Sequence, residues 1–176
     1  RLPKKDDYSA SGMGATADSA IGNERLLMPQ ILNGLKKNEF IFLLQPQYEL
    51  NTRKIIGAEA LVRWNHPALG EISPAVFIPV LENNGYITKL DQKIWEDVCA
   101  MIRRWIDEGI KPLAISINVT KTDLLAMDVV EIFDELLKKY RIPPKYLNID
   151  IAENAYKEVY GIVSEVEKSL QQKGFR

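Results

Sequence analysis

An α/β fold with parallel strands is what this sequence predicts, and three observations carry it. Short β-type runs at 40–44, 54–62, 113–119 and 146–151 alternate, through the later part of the chain, with apolar stripes at helical spacing. The connection between the first two runs, 48–54, is too short for a parallel crossover, so that pair should be antiparallel. The 176 residues are 46% hydrophobic and 27% charged, enough for one domain with a sizeable core and too few for two.

The elements follow in order. Residues 1–22 are small and polar around Ser9–Ala15 and read as a linker or lead-in. Asn23 is placed to cap a helix whose Leu27, Ile31 and Leu35 recur every four residues. Pro29 fits that helix only in its first turn, so a later start is expected. After the first two strands, Ile94, Val98, Met101, Ile102, Trp105 and Ile106 form one apolar stripe. Asp128 with Glu131 resembles a capping box before the stripe of Val129, Ile132, Phe133, Leu136 and Tyr140. Pro143-Pro144 is expected to end that helix. The last helix shows Val159, Ile162, Val163, Val166 and Leu170, with Gly174 as its stop.

Composition excludes several classes. Lys and Arg total 23 against 24 Asp and Glu, a formal net charge of -1, so no global basic field points to long nucleic acid. The lone Cys99 can form no intrachain disulfide and fits a reducing cytoplasm. The lone His66 excludes a histidine-cluster metal site and, in Asn65-His66-Pro67, reads as a loop or packing residue. No apolar run approaches the roughly 18 residues of a membrane span, so no membrane contact is expected from this segment. No signal peptide is visible either.

Three polar residues fall at the ends of strand candidates. Glu59 lies within the run ending at Val62, Asn118 follows Ala114-Ile115-Ser116-Ile117, and Glu153 follows Ile149-Asp150-Ile151-Ala152. Ligands of parallel α/β folds bind at the carboxyl ends of strands, where such side chains converge. Two carboxylates and an amide oxygen form an oxygen-only set suited to Mg²⁺ or Mn²⁺. Arg63, four residues beyond Glu59, would suit a phosphate beside the metal. Each residue also has a plainer reading. Glu and Asn at strand ends serve as caps and turn formers, and an isolated Arg is usually a surface ion-pair residue. Asp150 is expected on the opposite face or in a local pair, while Trp95, Cys99 and Trp105 read as core.

With these residues in view, the chain resembles the EAL domain family. Glu59-Ala60-Leu61-Val62-Arg63 matches the Glu-x-Leu-x-Arg signature, preceded by Gln45-Pro46 and continued by Trp64-Asn65-His66-Pro67. Ser73–Pro79 looks like the loop and helix that follow in the family, and Ser116-Ile117-Asn118-Val119-Thr120 resembles its Ser-x-Asn-x-Ser segment. The likeness covers residues 24–176 in order and spacing.

That resemblance implies a modified (β/α)₈ TIM-type barrel with an antiparallel first strand, of which residues 23–176 supply about the first half. It also implies hydrolysis of cyclic di-GMP to the linear dinucleotide with Mg²⁺ or Mn²⁺, in a cytoplasmic protein that forms homodimers through its EAL domains. By position, Glu59, Asn118 and Glu153 are implied as catalytic metal ligands, and Gln45, Leu61 and Arg63 as contacts to the dinucleotide. Ala152 stands where the family usually has Thr, and Asp150 where it has Glu. The acidic pair carried by the family's next strand is not within residues 1–176. The segment is therefore expected to be inactive alone. A non-catalytic EAL module that binds cyclic di-GMP or a protein partner is the alternative, and a pure dimerisation module is a third.

Overall fold

The computed structural model describes residues 24–175. The expected lead-in at 1–22 and the Asn23 cap lie outside the described residues. Helix α1, Glu24–Lys36, buries Leu27 and Ile31 and packs Leu35 against the same core. Pro29 lies inside this helix, past its first turn, which corrects the expected later start. The helix therefore forgoes one backbone bond at Pro29, and its buried side chains, not its backbone, hold it in place.

Strand β1, Phe40–Tyr48, runs antiparallel to β2, Ile55–His66, from the pair Phe40↔Trp64 to Tyr48↔Ile55, as the short connection predicts. Both strands outrun the sequence-based bounds. Strand β1 carries Pro46, tolerated because β1 is an edge. The chain then turns at His66, whose Nδ1 accepts the backbone N–H groups of Ala68 and Leu69, each at 3.2 Å. It returns as the three-residue β3, Gly70–Ile72, paired antiparallel to the end of β2.

Helix α2, Pro74–Asn83, is capped by Ser73, and α3, Ile87–Asp107, carries the expected stripe. Strand β4, Ala114–Val119, lies parallel to β2 over Gly57–Glu59 only, and parallel to β5, Leu147–Ile151, over Ile115–Val119. Between them run α4, Lys121–Ala126, and α5, Val129–Tyr140. After β5 come α6, Glu153–Glu158, and α7, Tyr160–Gln172, with Gly174 at φ 87° as the stop.

Two cap assignments change. Asp128 accepts the Glu131 N–H at 3.0 Å, but the reciprocal capping box forms at Thr120 and Asp123 instead. Helix α5 ends at Arg141, in the left-handed region at φ 50°, before the prolines are reached.

The mixed sheet has the order β1-β2-β4-β5. One face is covered by helices: Ala58, Ala60, Trp64, Ile115, Ile117, Val119 and Leu147 are buried there. The alternate residues, among them Gln45, Glu59, Asn118 and Asp150, share the other, open face. Aromatic packing anchors the covered side. Trp64 stacks on Phe40 at 5.1 Å and meets Phe77 edge-on at 5.9 Å, while its indole N–H donates to Glu39 at 3.1 Å. Gly34 makes room for this cluster, since a Cβ there would stand 3.0 Å from Trp64 Nε1 and 2.9 Å from Glu39 Oε2.

Trp64→Ala is expected to cost about 3–5 kcal/mol of unfolding free energy, the range for emptying a buried aromatic site. Leu50→Ala, at a position 94% exposed, should stay within about 0.5 kcal/mol. Urea unfolding of the two variants measures the contrast, and equal midpoints would contradict the assigned core.

Candidate functional site

The fork between β2 and β4 builds the site. Parallel pairing stops at Glu59↔Ser116, and beyond it the two strands separate. Asn118, two residues past Ser116, donates its side-chain amide to Glu59 Oε1 at 3.0 Å across the fork. Its backbone carbonyl accepts the Trp95 indole N–H at 3.1 Å, so α3 fixes the end of β4 from the covered side. Glu59 is thus not at the end of its strand, as the sequence suggests, but at the end of its parallel pairing.

Glu153 opens α6 just past β5, and the Ala152 N–H donates to the Val119 carbonyl at 3.1 Å, which stitches this turn to the end of β4. The Glu153 side chain is 84% exposed and pairs with Lys157 at 2.6 Å. It lies just past the end of β5, beside the end of β4 that carries Asn118, and does not join the Glu59–Asn118 contact. Among the described residues, no group of three His, Cys, Asp or Glu side chains is placed to hold a metal ion. Of the three expected ligands, Glu59 and Asn118 are in contact, through the Asn118 amide N–H and Glu59 Oε1.

Gln45 is paired in register with Glu59, Leu61 with Leu43, and Arg63 with Ile41, so the expected ligand contacts lie on the open face with Glu59. Arg63 is tied back. It donates to the Val62 carbonyl at 2.8 Å and pairs with Glu71 of β3 at 3.3 Å. Glu71 was not singled out from sequence, because a three-residue strand has no periodicity to reveal it. Asp150 pairs in register with Asn118 and therefore sits on the same face, not the opposite one. Partners in a parallel ladder share a face, a fact that sequence spacing within one strand does not supply.

Beside the fork lies a cavity of about 210 Å³ whose lining includes Leu61, Arg63, Asp91, Trp95, Asn118 and Thr120. Asp91 comes from α3. Close by, Asp123 of α4 is fully buried, and neither acid was distinguishable in sequence from an ordinary surface carboxylate. No helix among the described residues is long and apolar enough to cross a membrane.

Comparison with known proteins follows this geometry. The family model described as EAL domain matches residues 29–176. An uncharacterised protein of Mycobacterium tuberculosis is 34% identical over 122 residues, 69% of this chain and 40% of that protein. The cyclic di-GMP phosphodiesterase RocR of Pseudomonas aeruginosa is 30% identical over 141 residues, 80% of this chain and 34% of that protein. The chain therefore spans well under half the length of these relatives. Among solved structures, the MucR phosphodiesterase in complex with c-di-GMP aligns with a TM-score of 0.78 at 24% identity, covering 85% of this chain and 61% of that one. The EAL enzyme Bd1971, in a form with cAMP and cyclic di-GMP bound, gives 0.78 at 23% identity, covering 89% and 43%. At those identities the structural likeness speaks for the fold.

Cys99 stands apart from the site. It is fully buried in α3, and burial, with the Glu96 charge adding to it, pushes its thiol up to about 12. Trp95 is buried as expected and Trp105 only partly so. Native protein at pH 8 should leave Cys99 unlabelled by iodoacetamide while denatured protein is labelled fully. Rapid native labelling, read by mass spectrometry, would contradict this placement.

Proposed function

The chain belongs to the EAL domain family, and on that premise we propose that it is the first part of a cyclic di-GMP phosphodiesterase. The proposed reaction is metal-dependent hydrolysis of the cyclic dinucleotide to the linear one, in bacterial second-messenger signalling. One observation carries the reading: Glu59 and Asn118 are in hydrogen-bond contact at the strand fork, on the open face that also holds Arg63 and Gln45.

In this reading the sheet is the opening portion of a (β/α)₈ barrel within 23–176, with 1–22 as a lead-in. An antiparallel β1–β2 pair followed by the parallel run β2–β4–β5 supports it. Glu59, Asn118 and Glu153 would hold Mg²⁺ or Mn²⁺. The donor set fits, since carboxylate and amide oxygens are what hard cations take. Such a cation would supply charge neutralisation at the phosphodiester and acidify water. Asn118, held by Trp95, keeps Glu59 in place. Arg63 exchanges its exposed partner Glu71 for a phosphate oxygen, an inexpensive exchange because surface ion pairs contribute less than about 1 kcal/mol. Gln45 and Leu61 give the dinucleotide a polar contact and an apolar one. Hydrolysis opens one phosphodiester, with the water oxygen ending on phosphorus and a proton on the departing ribose oxygen. A cytoplasmic location and a homodimer built through such domains complete the proposal.

A second reading, binding without turnover, is favoured by Glu153, which pairs with Lys157 instead of joining Glu59 and Asn118. The two readings separate on catalysis.

In the full-length protein that carries this chain, Glu59→Ala is expected to lower hydrolysis at least ~100-fold, the scale for damage to a metal site. Arg63→Ala should weaken dinucleotide binding about 10–100-fold, the equivalent of one charge-assisted hydrogen bond. Chromatographic assay with Mg²⁺ and with Mn²⁺ tests both. Full turnover by Glu59→Ala would sink the mechanism, and binding without turnover by the unmodified protein would select the second reading.

The polypeptide 1–176 alone should give no linear product, because Glu59, Asn118 and Glu153 are too few ligands for two cations. Metal-dependent product that disappears with Glu153→Ala would show otherwise.

A further inference from the structure

Asp123 is a fully buried acid and Asp91 a half-buried one, and the proposed chemistry uses neither. Asp91 lines the cavity beside Arg63 and Asn118. Asp123 stands behind it with one oxygen fully engaged, Oδ2 accepting the Thr120 N–H at 2.8 Å and the Thr120 hydroxyl at 2.7 Å. Its Oδ1, and Oδ2 of Asp91, are buried without any donor. The two carboxyl groups nonetheless lie within hydrogen-bonding reach of each other.

Two ionised carboxylates are acceptors only, so their contact would leave both oxygens unsatisfied and two like charges in a poorly solvated place. One proton resolves all of this. It turns one acid into a donor, satisfies both orphan oxygens and removes one buried charge. The two Thr120 bonds favour the charged form of Asp123, so the proton belongs to Asp91.

We propose that Asp123 is a positioning residue that, by sharing one proton with Asp91, holds the Asp91 carboxyl neutral and fixed in the wall of the cavity, where a phosphate-bearing dinucleotide then meets no anion. The inference rests on the proposed function only for the identity of that ligand. The surrounding charges agree with it. Facing Asp91 are Asp123 from α4, Glu82 at the end of α2 and Arg63 across the cavity, and Arg63 is engaged with Glu71. Burial first, then the charge and hydrogen bond of Asp123, then Glu82, push Asp91 up to about 9. The sign follows directly. An acid raised on folding contributes stability that is complete below its ordinary range near 4 and is lost as the pH rises through about 9.

The test uses the full-length protein with two independent readouts. The first is the side-chain carboxyl ¹³C shift of Asp91 between pH 5 and 10 without ligand. The second is cyclic di-GMP affinity in EDTA over the same range. Asp91 is expected to stay protonated through pH 8. Affinity should be level to that point and fall about tenfold per pH unit above the titration, the proton-linkage limit. Asp123→Asn keeps an acceptor for Thr120 but turns an amide donor toward Asp91, which favours the ionised form. The break in affinity should then move down by at least one pH unit. Asp91→Asn, permanently neutral, should make the affinity independent of pH. A carboxyl signal that titrates near 4, or an Asp91→Asn variant that keeps the break near 9, overturns the proposal. Should Asp123→Asn fail to fold, the Asp91 titration and the Asp91→Asn profile still decide. Failure of every form to bind the dinucleotide removes the functional reading, while the apo titration still judges the shared proton.

Discussion

Strand β2 is the constraint on which the rest depends, because it pairs with three different neighbours over different stretches. Antiparallel β1 follows it from Ile55 to Trp64, β4 joins it only over Gly57–Glu59, and β3 takes its last three residues. Between those last two pairings, Ala60–Arg63 have no strand on the β4 side. That gap is the mouth of the cavity lined by these residues, Asn118 and Thr120. Gly57 permits the parallel pairing with β4 to begin where it does. A Cβ there would stand 2.9 Å from the Ala114 carbonyl, closer than packing allows. Close approach at Gly57 and divergence after Glu59 together put the Asn118 amide and the Arg63 guanidinium around one opening, with the Glu59 carboxylate bonded to Asn118 at its edge.

Electrostatics around this opening consists of weak ties on the surface and a strong one beneath. Glu153 with Lys157 is an exposed pair, and Arg63, itself half-buried, reaches the exposed Glu71, so solvent and ligands can exchange both partners. Asp123 and Asp91 are the opposite case, a fully buried acid and a half-buried one whose protonation is set by burial and by their proximity. A ligand can rearrange the first layer at small cost, whereas the second keeps its geometry.

Long, periodic elements were legible in the sequence. The stripe along α3, the antiparallel first pair and the alternation of strand and helix need only spacing to be read. Short elements were not. β3 has three residues, and α4 and α6 have six each, too few to show a period of 3.6. The helix through Pro29 was misplaced because local propensity argues against it while the burial of Leu27 and Ile31 outweighs that preference. For the candidate site, Glu59, Asn118 and Arg63 stood out by type and position along the strands. Glu71, Asp91 and Asp123 did not, since each matters through a partner distant in sequence. Asp150, expected on the opposite face or in a local pair, lies on the Asn118 face for a related reason: its orientation is fixed by the β4–β5 register, which no single strand encodes.

The bond from the Trp95 indole to the Asn118 carbonyl gives the molecule an optical property. Trp95 is buried, tilted against Phe133 at 4.7 Å, and hydrogen-bonded to the residue that touches Glu59. Burial and that one polar acceptor define the surroundings of its indole. Trp64 also lies buried, but its indole bonds to Glu39 on the far side of the first hairpin, and Trp105 is partly solvated. The chromophore that senses the end of β4 is thus separated, by burial and by hydrogen-bond partner, from the two that do not. A displacement of Asn118 would reach this one indole directly, through a bond the other two do not share.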